Sequence, residues 1–250
     1  MRGIVFYFVL LAGLTFVTFN ASAQPVPAVD ENIPHLVTFG GEGDTGWGDD
    51  DFTQIIFFSI PEDYSNPVFI RVYDPDTGNA IDEQKGEWDT AMRYSVYGGE
   101  GACSEEDARR SNLEGNYLSG NLLGSKIFYK SSRYNQDWYT FGPFNPTEGE
   151  LLPEYGGYVF KLVVEGIEGD DGNLYRLFLS TNQTQNRKIE GAFAFYFKYK
   201  FRLHNDVDEV SHIYPYMTSD VVAIKQSNFD WDNDGIIRII SPGKNGERVA

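Results

Sequence analysis

An all-β fold, an antiparallel β-sandwich, is what this sequence predicts, and three observations predict it. Apolar residues recur in short alternating or continuous runs, and long helical spacing is absent. Clusters of Gly, Pro, Asn and Asp separate those runs. Aromatics make up 16% of the chain, with 19 Phe and 16 Tyr, and such side chains suit a pleated, half-buried surface. Eight or so strands joined by turns fit two packed antiparallel sheets.

The chain opens with MRGIVFYFVLLAGLTFVTFNASAQ. Arg2 supplies a short positive n-region, Ile4 to Phe19 an apolar core, and Ala21-Ser22-Ala23 a small-residue cleavage site before Gln24. Residues 1–23 therefore read as a signal peptide cleaved after Ala23, which places the protein in the periplasm, at the cell surface or in the medium. No later segment is apolar enough to cross a membrane, so no membrane insertion is expected after cleavage. Residues 24–35 read as a linker, 36–205 as the sandwich, and 206–250 as the start of a second, incomplete sandwich copy.

Within the sandwich, strands are predicted at TQIIFFSI (53–60), VFIRVY (68–73), MRYSVY (92–97), KIFYK (126–130), DWYTF (137–141), YVFKLVVE (158–165) and NLYRLFLS (173–180). Ser104-Glu105-Glu106-Asp107 has the form of a capping box and predicts a helix of at most two turns. The stretch 139–157, with three prolines, reads as a long ordered loop. AFAFYFKYKFRL (192–203) alternates most cleanly and predicts one strand of roughly 40 Å. Its odd positions, among them Phe193, Phe195, Phe197 and Phe201, are expected to be buried together; Tyr196, Lys198, Lys200 and Arg202 are expected to face water.

The pairs GGYVFKLVVEGIEGDDGNLYRLFLS (156–180) and DDFTQIIFFSIPEDYSNPVFIRVYDPDTG before it carry a strand rhythm and turn chemistry that resemble β-sandwich modules appended to secreted bacterial enzymes. The pre-peptidase C-terminal type is the named family they resemble. That resemblance implies an accessory, non-catalytic module.

An internal repeat lies in FIRVYDPDTGNAI (69–81) and IIRIISPGKNGERV (236–249). A shift of 167 sets Ile70 on Ile237, Arg71 on Arg238, Val72 on Ile239 and Pro75 on Pro242, and carries Asp63–Pro67 onto Asp230–Asp234. The short second copy cannot close a sandwich, which favours a fragment of a longer polypeptide.

Composition narrows the function classes. Arg2 is the only charged residue before Gln24, so cleavage takes the net charge from −17 to −18. A charge this negative disfavours nucleic acid and anionic membranes. Cys103 is the only cysteine, so no internal disulfide forms, and stability must come from a core. The absence of disulfides in an exported chain points to a bacterial source. Catalysis finds little support: His35, His204 and His212 stand in no zinc-ligand spacing, no G-x-S-x-G elbow is present, and Cys103 has acidic neighbours. The chain is expected not to be an enzyme.

Two candidate sites remain. In FDWDNDGII (229–237), Asp230, Asp232 and Asp234 stand at positions 1, 3 and 5 of a D-x-D-x-D-G loop, with the Ile236 carbonyl at position 7. Hard oxygens so spaced suit a structural calcium ion. Ser241 stands where the bidentate Glu is expected, and Glu247 is the nearest substitute. Asp49, Asp50 and Asp51 read as a solvated loop, and GDDGN (169–173) as a hairpin turn. DPDTG (74–78) resembles a calcium loop, but its repeat partner SPGKN has no acid, so Asp74 and Asp76 read as turn residues. Trp47 and Trp88, in polar loops, are the candidate ligand-binding pair. The expected function is an exported binding or structural module, calcium-stabilised, with a protein or glycan partner at the cell surface. The alternatives are a carbohydrate-binding module and a secreted hydrolase.

Overall fold

The computed structural model describes residues 24–44, 52–110, 114–206, 208–215, 237–241 and 244–249. The predicted signal peptide, Trp47, Asp49 to Asp51, and Asp230, Asp232, Asp234 and Ile236 lie outside the described residues.

Two antiparallel sheets face each other. The first contains β1 (Pro25–Val26), β2 (His35–Phe39), β4 (Val68–Tyr73), β7 (Trp138–Phe144), β10 (Gly172–Ser180) and β12 (Phe201–Arg202), in the order β12-β2-β10-β4-β7 with β1 also on β10. The second contains β3 (Thr53–Pro61), β5 (Ala91–Gly98), β6 (Asn121–Phe128), β8 (Glu150–Leu152), β9 (Gly157–Glu168) and β11 (Phe193–Phe195). Its order is β11-β3-β9-β5-β6, with β8 also on β9. Helical structure among the described residues is confined to short 3-10 turns.

Period-2 alternation explains the core. Ile56, Phe58 and Ile60 of β3, Val68, Ile70 and Val72 of β4, and Phe160, Leu162 and Val164 of β9 project between the sheets. Tyr94, Tyr175, Leu177 and Leu179 join them. The intervening residues of the second sheet are buried too: Ile55, Phe57, Val159 and Val163 pack with Cys103, Ala108 and Phe195 on its outer face. TQIIFFSI and YVFKLVVE therefore read as continuous apolar runs because the strands are covered on both faces.

The strand expected over 192–203 breaks in two. Phe193–Phe195 pairs with Phe57–Ser59 of the second sheet, and Phe201–Arg202 pairs with His35 and Leu36 of the first. The segment between crosses from one sheet to the other. Tyr196 and Tyr199 stack at 3.7 Å between ring centroids, and both hydroxyls donate to Glu31, at 2.8 and 2.9 Å. Lys200 N–H donates to Gln54 Oε1, and Lys200, expected to face water, is buried. Of the four phenylalanines expected together in the core, only Phe195 is buried; Phe197 is 45% exposed. A sheet crossing satisfies the same alternation as a long strand while closing one side of the sandwich.

Residues 24–35, expected as a linker, are part of the domain. Pro25 and Val26 pair with Phe178 and Leu177, and the buried Gln24 side chain bonds Ile189 and Ala192. The predicted helix after Ser104 is a single 3-10 turn, Glu106–Arg109, because Ser104 Oγ donates to Glu150 rather than capping. The loop expected over 139–157 holds most of β7, all of β8 and two 3-10 turns.

At the C-terminal end, β13 (Ile237–Ser241) pairs antiparallel with β14 (Lys244–Val249), with a bulge at Ile239/Ile240. In the first copy, by contrast, β4 pairs with β10 and β7 and leads into a long loop.

Candidate functional site

The outer face of the first sheet gathers aromatic and cationic side chains. Tyr73 of β4 and Trp138 of β7 are register partners whose rings lie 5.3 Å apart. Arg176 of β10, the partner of Tyr73 on its other side, stacks over Tyr73 at 4.1 Å. Arg71 lies 4.8 Å from the Trp138 ring, donates from Nε to Thr140 Oγ1 at 3.3 Å, and donates from Nη1 to Asn186. These residues share a face because they alternate with Ile70 and Val72, which point into the core. Each ring therefore has a guanidinium over it, that of Arg71 buried and that of Arg176 exposed. His35 lies in the same sheet, and burial, with Arg176 and His204 adding, holds its imidazole down at about 4, so it is neutral at pH 7. Phe69 continues the face into a shallow cleft of about 710 Å³ lined also by Tyr64, Asn66, Pro67, Pro143 and Thr181.

Of the ligand-binding pair read from the sequence, Trp88 is half-buried and packs against the 74–78 turn; a Cβ at Gly78 would sit 3.6 Å from its indole. Trp138, not Trp88, is the half-exposed indole on a sheet face. Its sequence signal was the alternation of DWYTF, which equally describes a core residue.

A polar knot sits on the outer face of the second sheet. Lys161 is fully buried and donates from Nζ to the carbonyls of Tyr117 and Ser119 at 2.6 and 2.8 Å. Glu150 is its acidic counterpart, accepting from the N–H groups of Gly101, Cys103 and Ser104 at 2.6 to 2.9 Å. Between them, burial pushes the Cys103 thiol up to about 12, against the pull of Arg109, so the thiol is inert at neutral pH. These bonds hold residues 101–104 and 117–119 on the sheet.

Burial also lowers the Lys161 ammonium to about 8, against the pull of Cys103, Glu150 and Glu105. Between about pH 8 and 10.5 the unfolded chain keeps a proton that the folded chain has released. Stability relative to Lys161→Met should therefore rise with pH across that window, by at most about 1.4 kcal/mol per unit. Urea midpoints of both proteins at pH 7, 8.5 and 10 check it; a constant difference would show that the lysine stays charged.

Two acidic groups were legible in the sequence as turns. The ligand oxygens of Asp89, Asp170 and Asp171 lie within 4.8 Å of one another. The Asp171 carboxylate accepts from Lys85 N, Asp89 N and Thr90 Oγ1 at 2.8 to 3.2 Å. Asp74 and Asp76, expected as turn residues, are buried at 0% and 3% exposure. Asp74 Oδ1 accepts from Asn79 Nδ2 at 2.7 Å, and Asp76 Oδ2 from Tyr134 N at 2.8 Å. Comparison of the chain with protein-family models, characterised proteins and solved structures finds no match.

Proposed function

We propose that this chain is an exported, non-catalytic β-sandwich module that works by binding, with the outer face of the first sheet as its contact surface. The observation that carries this reading is the Tyr73–Trp138 pair, held by Arg71 and Arg176 beside the cleft at Phe69. Rigid aromatic rings bracketed by guanidinium groups are the residue types that dominate binding hot spots. The buried ionisable side chains of the second sheet are spent on holding loops, which fits a scaffold that presents a surface.

Carbohydrate is the ligand class this face favours. Apolar ring faces of sugars pack on aromatic side chains, and the exposed Arg176 offers donors to hydroxyl or carboxylate groups. Affinity electrophoresis through gels containing neutral or acidic polysaccharides tests it. Trp138→Ala should weaken retardation at least about tenfold while leaving the urea midpoint nearly unchanged. Equal mobility of wild type in every gel would remove the glycan reading.

A further inference from the structure

The two strand orders end on β12 and β7 in the first sheet, and on β11 and β6 in the second. Three of these edges are blunted. β12 is two residues long and β11 three. β7 carries Pro143, which has no N–H, and a bulge opposite Val68 and Ile70. β6 differs: it runs eight residues, contains no proline, and among the described residues pairs with β5 alone. One bulge, opposite Val96/Tyr97, sets off Asn121 and Leu122 from a regular ladder over 124–128. In an antiparallel pair alternate residues turn N–H and C=O away from the partner, so β6 presents a row of such groups outward. The strand is fixed at both ends. Asn121 pairs with Gly98, and beyond β6 Lys130 bridges Thr77 while Ser131 N–H donates to Thr77 O at 3.3 Å. An edge held in place lowers the ordering cost of a strand that adds to it.

Charge sets this edge apart from the rest of the chain. The net charge is −17, yet the 22 residues from 115 to 136 contain no Asp or Glu. That is the longest such run after Asp30, and it holds Lys126, Lys130 and Arg133. All three are exposed, and none pairs with a carboxylate among the described residues. Lys126 lies over Phe128 at 5.8 Å and Arg133 over Tyr134 at 5.2 Å, which keeps both charges close to the strand. Leu122 and Tyr129, exposed at its two ends, add apolar contact area.

We propose that the outer edge of β6 binds an extended, acidic segment of a partner protein, which adds to the second sheet as a further strand. Main-chain bonds to the outward N–H and C=O groups supply affinity for any strand, and Lys126, Lys130 and Arg133 select carboxylates. Two features disfavour a second copy of this chain as the occupant. Two chains of net charge −17 repel each other, and a lysine within an edge strand hinders pairing of that edge with its own kind. The edge belongs to the second sheet and the proposed glycan face to the first, so neither reading rests on the other.

The test is fluorescence anisotropy of labelled octapeptides with the full chain: alternating Glu-Val, alternating Lys-Val, and Glu-Val N-methylated at its odd or at its even residues. Glu-Val should bind at least about tenfold tighter than Lys-Val, and the double variant Lys126→Glu, Lys130→Glu should weaken it at least about tenfold. Lys198→Glu, in the segment that crosses between the sheets, should leave it unchanged. One N-methylated peptide should bind like its parent and the other should fail, because only alternate N–H groups of an added strand face β6. Should the double variant fail to fold, Arg133→Glu decides. Equal affinity for Glu-Val and Lys-Val, or binding of neither, overturns the proposal. Full binding of both N-methylated peptides means attraction between charges without an added strand, and overturns it as well. A dimer in sedimentation velocity, with concentration-dependent protection from hydrogen exchange over 124–128, gives the edge to a second copy and equally overturns it. None of these outcomes touches the glycan reading, which the polysaccharide gels test alone.

Discussion

Glu150→Ala is expected to remove about 3–5 kcal/mol of stability, a large share of the 5–15 kcal/mol typical of a domain. The Glu150 carboxylate is 7% exposed and is the common acceptor for three backbone N–H groups and the Ser104 hydroxyl. Alanine leaves all four donors without an acceptor, and the closing Gly99 N–H to Glu148 O bond, 2.7 Å, lies one turn away. Burial alone would raise this carboxyl, but Ser104 Oγ and the N–H groups of Cys103, Ser104 and Gly101 outweigh it and hold it below its ordinary value. A depressed folded value means the contribution is complete above the unfolded value, about 4.3, and is lost as pH falls through the folded one. Urea midpoints of wild type and Glu150→Ala should thus converge in strong acid and separate by pH 6. Parallel curves at all pH values, or a loss under about 1 kcal/mol, would show that water replaces the carboxylate.

The sandwich was legible where local pattern and tertiary environment coincide. VFIRVY predicted Val68–Tyr73 to the residue, because β4 has one core face and the alternation states which. TQIIFFSI was legible for the opposite reason: a strand covered on both faces needs no alternation, only apolar length. FAFYFKYKF misled because period 2 reports side-chain direction and not which sheet a strand joins. What divides 193–202 is Glu31, which receives two tyrosines from far along the chain, and nothing in VDEN announces that anchor. His35–Phe39 was missed as a strand because five residues beside a glycine-rich loop carry too little pattern.

A calcium-loop pattern at DPDTG was legible in the sequence; the burial of Asp74 and Asp76 was not. D-x-D followed by Thr-Gly is visible in the sequence, and comparison with SPGKN argued against it. That comparison assumed equal environments. The first copy meets a loop 58 residues later, where Tyr134 N–H holds Asp76 and Gln136 N–H holds Asp74. Burial against a distant segment, not composition, distinguishes these aspartates from exposed turn formers. Trp138 teaches the same point: its exposure depends on which face of β7 the first sheet turns outward.

Phe160→Ala, set against Phe197→Ala, separates the core the structure shows from the one the sequence implies. Both residues sit in segments predicted as strands, and sequence alone ranks Phe197 as core. Phe160 is fully buried in β9, opposite Phe58 of β3, with its ring 5.8 Å from Phe144 of the opposite sheet. Removing it opens a cavity between two sheets whose strands are pinned by long ladders, so little relaxation can fill it. The expected loss is about 3–5 kcal/mol. Phe197 keeps 45% of its surface in solvent and touches Phe57 only by an edge contact at 5.7 Å. Its alanine variant should cost under about 1 kcal/mol, the scale of a partly exposed aromatic contact. Guanidinium unfolding of both variants, compared at equal m, makes the ranking measurable. A reversed order would mean that 192–203 does form one continuous strand over the core, and that the crossing anchored by Glu31 is absent.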